Sequence, residues 1–241
     1  MSTPGRPKGE FRSAQHEGSP LSTEEALLRE QAVAAVRRLD ALGMNRGSTG
    51  NLSHRWAHAG QPGMLITPTG MGADDLQPAD LVWVGDDGSQ HGDWQPSSEW
   101  HFHKAVYRAR PDLHAIVHTH SVHAAALACL RRGLPAFHYM VAVAGGDSVP
   151  LTPYFTFGSQ ELSAAVAGAM RDRDACLMSN HGLVAAGATL ARAMKVAQEI
   201  ESLCEVYLKA LAVGEPTLLG AEEMAEVLAK FGSYGRSARS G

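Results

Sequence analysis

Apolar residues recur along this chain with two alternating periods. From Ser22 to Leu42 they fall at Ala26, Leu27, Ala32, Val33, Val36 and Leu39, the spacing of one helix face. Ser22 or Thr23 stands ready to cap that helix, Glu24 and Glu25 suit its positive end, and Leu42-Gly43 stops it. A Gly-, Ser- and Asn-rich turn over 43–53 leads into a strand at Leu52–Trp56. His58–Gly63 reads as a hairpin loop, Met64–Thr67 and Leu81–Val84 as strands, and Pro68-Thr69-Gly70 and Asp86-Asp87-Gly88 as turns. A helix is predicted from Pro96 to about Arg110, where Pro111 ends it, then a strand over Leu113–His120 and a helix over His123–Arg131. Further helices are predicted at Ser159–Met170, Thr189–Leu211 and Glu222–Phe231, with a buried-type strand at Ala175–Met178.

Strands interleaved with helices imply an α/β fold: a central mixed, mainly antiparallel sheet flanked by helices, in three layers α/β/α. The pattern gives no repeat and no internal break, so residues 21–236 are expected to form a single domain. The polar, Gly- and Pro-rich stretch 1–20 is expected to be a disordered tail, with a short tail over 237–241.

The 241 residues carry 21 basic and 25 acidic side chains, a formal net charge of −4. That balance disfavours nucleic acid and anionic membrane surfaces, which call for concentrated positive charge. No run of about eighteen apolar residues is present to span a bilayer, and the N-terminus lacks the order of a signal peptide. The three cysteines, Cys129, Cys176 and Cys204, are widely spaced in apolar stretches, so they are read as buried thiols in a reducing, cytoplasmic setting.

Histidine changes the picture. Seven of the 12 lie between residues 101 and 138. His118 and His120 sit two apart at the C-terminal end of a predicted strand, so both imidazoles project from one face and can share a metal ion. His181 follows the Ala175–Met178 strand and is a plausible third ligand; three histidines with an open position make a catalytic rather than a structural arrangement. Glu99, behind Ser97 and Ser98, is open to two readings: an acid/base group, or a residue completing a helix cap. The serines and two Gly-containing turns, Thr49-Gly50-Asn51 and Thr67-Pro68-Thr69-Gly70, offer backbone and hydroxyl donors suited to a phosphate. His101, His103, His114 and His123 are read as structural, and His138 as a neighbour that orients Tyr139.

Taken together, GNLS (50–53), MLITPTG (64–70), PSSEWHFH (96–103), RPDLHAIVHTHSVHAAALA (110–128), HYMVAVAGGDSVP (138–150), TPYFTFGSQEL (152–162) and NHGLVAAG (180–187) resemble the class II aldolase/adducin family. The likeness runs from about Glu24 to Arg236 and leaves out only the N-terminal tail and a longer 57–63 loop. It implies a homotetrameric zinc lyase with its sites at subunit interfaces and one Zn(2+) per chain. Its ligands would be His118, His120 and His181, with Glu99 as acid/base residue and an additional approach to the metal. Gly50, Asn51, Thr69, Gly70, Ser97 and Ser98 would bind phosphate. Tyr139, from an adjoining subunit, and Tyr234, near the C-terminus, would serve the sugar hydroxyl, and Phe157 would wall the aldehyde pocket.

The implied reaction is retro-aldol cleavage of a ketose 1-phosphate to dihydroxyacetone phosphate and an aldehyde. The L-fuculose, L-rhamnulose, D-ribulose and 5-deoxyribulose phosphates all stay open as substrates. Zinc in place of a Schiff-base lysine agrees with the lysines after the tail, Lys104, Lys195, Lys209 and Lys230, which fall within predicted helices. The related alternatives are a sugar-phosphate 4-epimerase, a decarboxylase, a methylthioribulose-1-phosphate dehydratase and a non-catalytic adducin-like module. Glu99 counts against the epimerase pattern, which carries aspartate there, and the retained histidines count against the module. Asn180 departs from the family pattern of a histidine before the metal-binding one.

Overall fold

A computed structural model describes residues 22–233 of the chain. Tyr234 and the expected tails over 1–20 and 237–241 lie outside the described residues. Six helices, α1 (Thr23–Ala41), α2 (Trp100–Ala109), α3 (Val122–Cys129), α4 (Gln160–Ala169), α5 (Leu190–Leu211) and α6 (Ala221–Ser233), accompany eight strands. The strands are β1 (Asn51–Arg55), β2 (Gly63–Ile66), β3 (Val82–Gly85), β4 (Gln90–His91), β5 (Ala115–Thr119), β6 (Leu151–Thr152), β7 (Ala175–Met178) and β8 (Gly182–Gly187). They form one sheet in the order β4-β3-β2-β1-β5-β8-β7-β6, antiparallel throughout except for the parallel β6–β7 pair.

The two sheet faces bury different residues. Leu52, Leu65, Trp83, Val117, Leu177, Leu183 and Ala185 face α1, α3 and α5. Ile66, Val82, Val84, Ile116, Cys176, Met178 and Val184 face α2 and α4. This two-residue alternation within each strand, with apolar residues on both sides, is what a sheet between two helix layers demands. The three-layer α/β/α architecture with a mainly antiparallel sheet therefore holds.

Local detail departs from the sequence pattern in five places. β4, β6 and β8 carry no predicted strand; β8 is the most consequential, because it lies beside β5 in the sheet centre. The predicted helix from Pro96 starts only at Trp100, because residues 95–97 pair with 67–69: Thr69 N–H donates to Gln95 O at 3.0 Å and Ser97 N–H to Thr67 O at 3.0 Å. That pairing removes one of the free amides expected at the helix start. Cys129 is exposed rather than buried, since α3 turns Ala124, Leu127 and Ala128 to the core and leaves its last residue outside; Cys176 and Cys204 are buried as expected. By contrast, α1 begins as its sequence suggests, with Ser22 Oγ accepting from Glu25 N–H at 3.1 Å.

Candidate active site

The site grows from the sheet centre. β1, β5 and β8 are neighbours, and their register sets Asn51 opposite His118 and His118 opposite Val184. His118 points to the α2/α4 side of the sheet, on the same side as Ile116, and His120 follows just past the strand end. The β7–β8 turn, Ser179–His181, carries Asn180 at φ 54°, a left-handed geometry that asparagine tolerates, and swings His181 back over the end of β5. Glu99 arrives from the turn before α2.

These four side chains converge. The metal-binding atoms of Glu99, His118, His120 and His181 all lie within 4.8 Å of one another. Glu99 Oε2 is 3.2 Å from His118 Nε2, Glu99 Oε1 is 3.3 Å from His181 Nε2, and the Nε2 atoms of His118 and His120 are 3.0 Å apart. The three rings stand nearly perpendicular in pairs, with centroids 4.8 to 4.9 Å apart. His118 Nδ1 lies 2.9 Å from the Leu183 carbonyl, which only accepts; Nδ1 therefore donates there and Nε2 faces the cluster. The His120 backbone N–H is anchored on Asn45 Oδ1 at 3.2 Å.

The electrostatics suit a cation. Burial lowers His120 and His181 to pKa values of about 4, with the nearby His118 adding to the effect, so both are neutral ligands at pH 7. Burial pushes the Glu99 carboxyl up, but His118, His181 and the Asn51 amide together outweigh it and hold the group well below the usual carboxylate range. Glu99 Oε1 is buried without a hydrogen-bond partner, an orphaned anionic atom on the His181 side of the cluster. A divalent metal such as zinc fits this donor set. Glu99 accordingly does not complete a helix cap: its side chain makes no cap hydrogen bond.

Beside the cluster opens a cleft of about 380 Å³. Every residue expected to bind phosphate, Gly50, Asn51, Thr69, Gly70, Ser97 and Ser98, lines it together with Glu99, His120 and His181. Gly50 is required on two counts: its φ is +74°, and a Cβ there would collide with the Asn45 side chain. Phe157 lines the same cleft and is 66% exposed, next to Tyr154 and Phe155, which sequence reasoning did not single out. Tyr139 does not line the cleft of its own chain; it is 51% exposed at the start of a 3-10 helix over Tyr139–Ala144, its ring stacked on His138. Among the described residues, no lysine lines the cleft. His123 is drawn away from the metal cluster by Glu201, which accepts from its ring and backbone at 2.9 Å.

Three imidazoles and a carboxylate at one side of a hydroxyl- and glycine-lined cleft define a metal-dependent enzyme. The Class II Aldolase and Adducin N-terminal domain model matches residues 30–208. Over 212 residues the chain is 48% identical to the 5-methylthioribulose-1-phosphate/5-deoxyribulose-1-phosphate aldolase of Rhodospirillum rubrum, covering 88% of this chain and 94% of that protein. It is 44% identical to the L-fuculose phosphate aldolase of Escherichia coli K12, over 88% of this chain and 97% of the relative. A solved L-fuculose 1-phosphate aldolase superposes with a TM-score of 0.82 at 36% identity, covering 88% of this chain and 98% of that one. The chain belongs to the class II aldolase/adducin family, and its complete cluster makes it a metal-dependent lyase with a class II aldolase-type active site. Among the described residues, no helix is long and apolar enough to cross a membrane.

Proposed function

We propose that this enzyme cleaves a ketose 1-phosphate, L-fuculose 1-phosphate or a close analogue, into dihydroxyacetone phosphate and an aldehyde. One zinc ion per chain would be held by His118, His120 and His181. The observation that carries the reading is the junction of the histidine cluster and the orphaned Glu99 oxygen with the donor-lined cleft. When bound, zinc supplies Lewis acidity against the negative charge that grows on the ketone oxygen as the C3–C4 bond breaks.

The protein's own residues do the rest. The hydroxyls of Thr69, Ser97 and Ser98 and the turns at Gly50, Asn51 and Gly70 grip the phosphate without a lysine. Glu99 Oε1 moves the proton: in cleavage it returns one to the carbon beside the ketone, and in condensation it removes it. Phe157 walls the aldehyde end. Tyr139, which does not line its own cleft, serves the sugar hydroxyl of a neighbouring copy in a homotetramer, with Tyr234 as a second tyrosine for the same hydroxyl. Three unpaired cysteines accord with a cytoplasmic setting.

A panel of the 1-phosphates of L-fuculose, L-rhamnulose, D-ribulose, 5-deoxyribulose and 5-methylthioribulose tests this, with dihydroxyacetone phosphate release followed through a coupled dehydrogenase. Release from at least one is expected. Isomerised, decarboxylated or dehydrated product without any release would replace the aldolase reading with one of its relatives.

A further inference from the structure

Behind Glu99 and Asn51 runs a buried polar chain, His103, Ser53 and Tyr107, that neither the metal nor the phosphate requires. Asn51 Nδ2 lies 2.9 Å from Glu99 Oε2, and Asn51 Oδ1 lies 2.6 Å from His103 Nε2. His103 Nδ1 is 2.7 Å from Ser53 Oγ, and Ser53 Oγ is 2.9 Å from the Tyr107 hydroxyl. The Tyr107 hydroxyl also reaches the His114 carbonyl at 3.3 Å. Asn51 and Ser53 are two apart on β1, and Glu99, His103 and Tyr107 are four apart along α2 and the turn before it. A strand period and a helix period thus interlock along one line. His103, Ser53 and Tyr107 are essentially sealed from solvent.

Elementary hydrogen-bond chemistry fixes the protons of this line from Glu99 as far as Ser53. An ionised carboxylate only accepts, so the Asn51 amide must turn its NH2 to Glu99 and its oxygen to His103. His103 Nε2 must then donate. Burial, with a further push from His118, drops the His103 pKa to about 3, so its ring is neutral and has one N–H to give. Nδ1 is therefore a bare acceptor and Ser53 must donate to it. With its proton spent, Ser53 Oγ can only accept from Tyr107, whose single proton is divided between Ser53 Oγ and the His114 carbonyl. From Ser53 through His103 to Asn51 the donors point toward Glu99.

We infer that His103 is a positioning residue of this active site: held as its Nε2–H tautomer, it locks the Asn51 amide so that Asn51 grips Glu99 Oε2 and leaves Oε1 to exchange the proton. Were the ring in the other tautomer, the Asn51 amide would flip and set its oxygen against the Glu99 carboxylate, with no donor left for Oε2. An unsatisfied buried pair of that kind is costly and would displace the carboxylate. His103 touches neither substrate nor metal, so its effect passes through Asn51 alone.

Two independent readouts test this on the full chain. The first needs no activity: long-range 1H–15N spectra of the histidine side chains of wild-type protein should show His103 as the Nε2–H tautomer. Finding the proton on Nδ1 overturns the inference. The second rests on the aldolase reading. In H103Q the amide nitrogen reaches the position of Nε2 and still donates to Asn51; in H103N it reaches only the position of Nδ1. H103N should lower kcat about 10- to 100-fold with KM and zinc content nearly unchanged, and H103Q should recover most of that loss. Equal losses in both variants, or a loss in H103N explained by missing zinc, would reduce His103 to a packing role. If H103N does not fold, S53A carries the comparison: removing the donor to Nδ1 should mix the tautomers and cost about 3- to 10-fold in kcat, and an unchanged tautomer with unchanged kcat counts against the inference. Wild-type protein that releases no dihydroxyacetone phosphate from any ketose 1-phosphate defeats the aldolase reading instead and leaves the tautomer result standing.

Discussion

Glu99 Oε2 and His118 Nε2 stand 3.2 Å apart, although one side chain comes from the turn before α2 and the other from the middle of the sheet. The contact joins the group that moves the proton to the group that holds the metal. It also explains why the Glu99 carboxylate stays ionised in a buried place, where burial alone would protonate it.

Replacing Glu99 by glutamine keeps the shape and the side-chain length but removes the proton-transferring oxygen. General acid–base catalysis contributes about 10²- to 10⁴-fold, so Glu99→Gln should lower kcat by that range. Three histidines remain, so zinc content by elemental analysis should stay near that of the wild type. A Glu99→Gln variant with kcat within a few-fold of wild type would move the acid/base role elsewhere.

The sequence made the layers and half of this site readable, for identifiable reasons. His118 and His120 stand out because a strand's period of two places both on one face, and the strand itself is flagged by Ala115-Ile116-Val117. β8 was hidden because Leu183-Val184-Ala185-Ala186 is buried on both faces, with neither alternation nor strong strand-forming residues to mark it. β4 and β6 are two residues each, too short for any period to show. Ser97-Ser98-Glu99 fits a cap and an active-site turn equally well on paper; the pairing of 95–97 with 67–69, a long-range event, separates them. His103 looked structural because its partners, Asn51 and Ser53, lie some fifty residues away on another element, at separations of 52 and 50.

His120 is the ligand whose loss tests the metal site most directly, since its ring is only partly buried and its removal leaves the sheet intact. Loss of an outer-shell partner already costs about 10- to 100-fold in metal affinity, so losing a ligand should cost at least that. His120→Ala, purified with zinc and dialysed, should retain little of it and show no cleavage. Full zinc in that variant, measured by elemental analysis, would overturn the ligand assignment.

The buried histidines also set how the metal-free protein responds to acid. His103 has a folded pKa of about 3 against 6.5 for the ordinary side chain. The unfolded chain therefore takes up a proton that the folded chain refuses, and the stability present above pH 6.5 is lost as the pH falls toward 3. Over that window one such group contributes a slope of about 1.4 kcal/mol per pH unit. Urea unfolding of metal-free wild type and His103→Gln at pH 7, 6 and 5 should show a shallower loss in the variant, by about one proton. Parallel curves would mean that His103 is protonated in the folded chain.

Gly182 and Gly70 offer a contrast between packing and backbone strain beside the same site. A Cβ on Gly182 would run into the Thr119 carbonyl oxygen and lie 3.2 Å from the His120 ring and 3.3 Å from the His118 ring. Nothing there can yield without moving β5 against β8. Overpacking of this kind costs about 1–3 kcal/mol, so Gly182→Ala should lower the urea midpoint and weaken zinc retention together, because the displaced atoms belong to the ligand-bearing strand. Gly70 has open space around its Cβ position but a φ of +69°, so Gly70→Ala carries only the left-handed backbone penalty of about 1–2 kcal/mol. It should leave zinc binding untouched and act on the cleft, raising KM for the phosphorylated substrate. Zinc titrations and urea melts of the two variants separate the cases: equal zinc affinity in both would show that the β5–β8 approach at Gly182 does not hold the histidines in place.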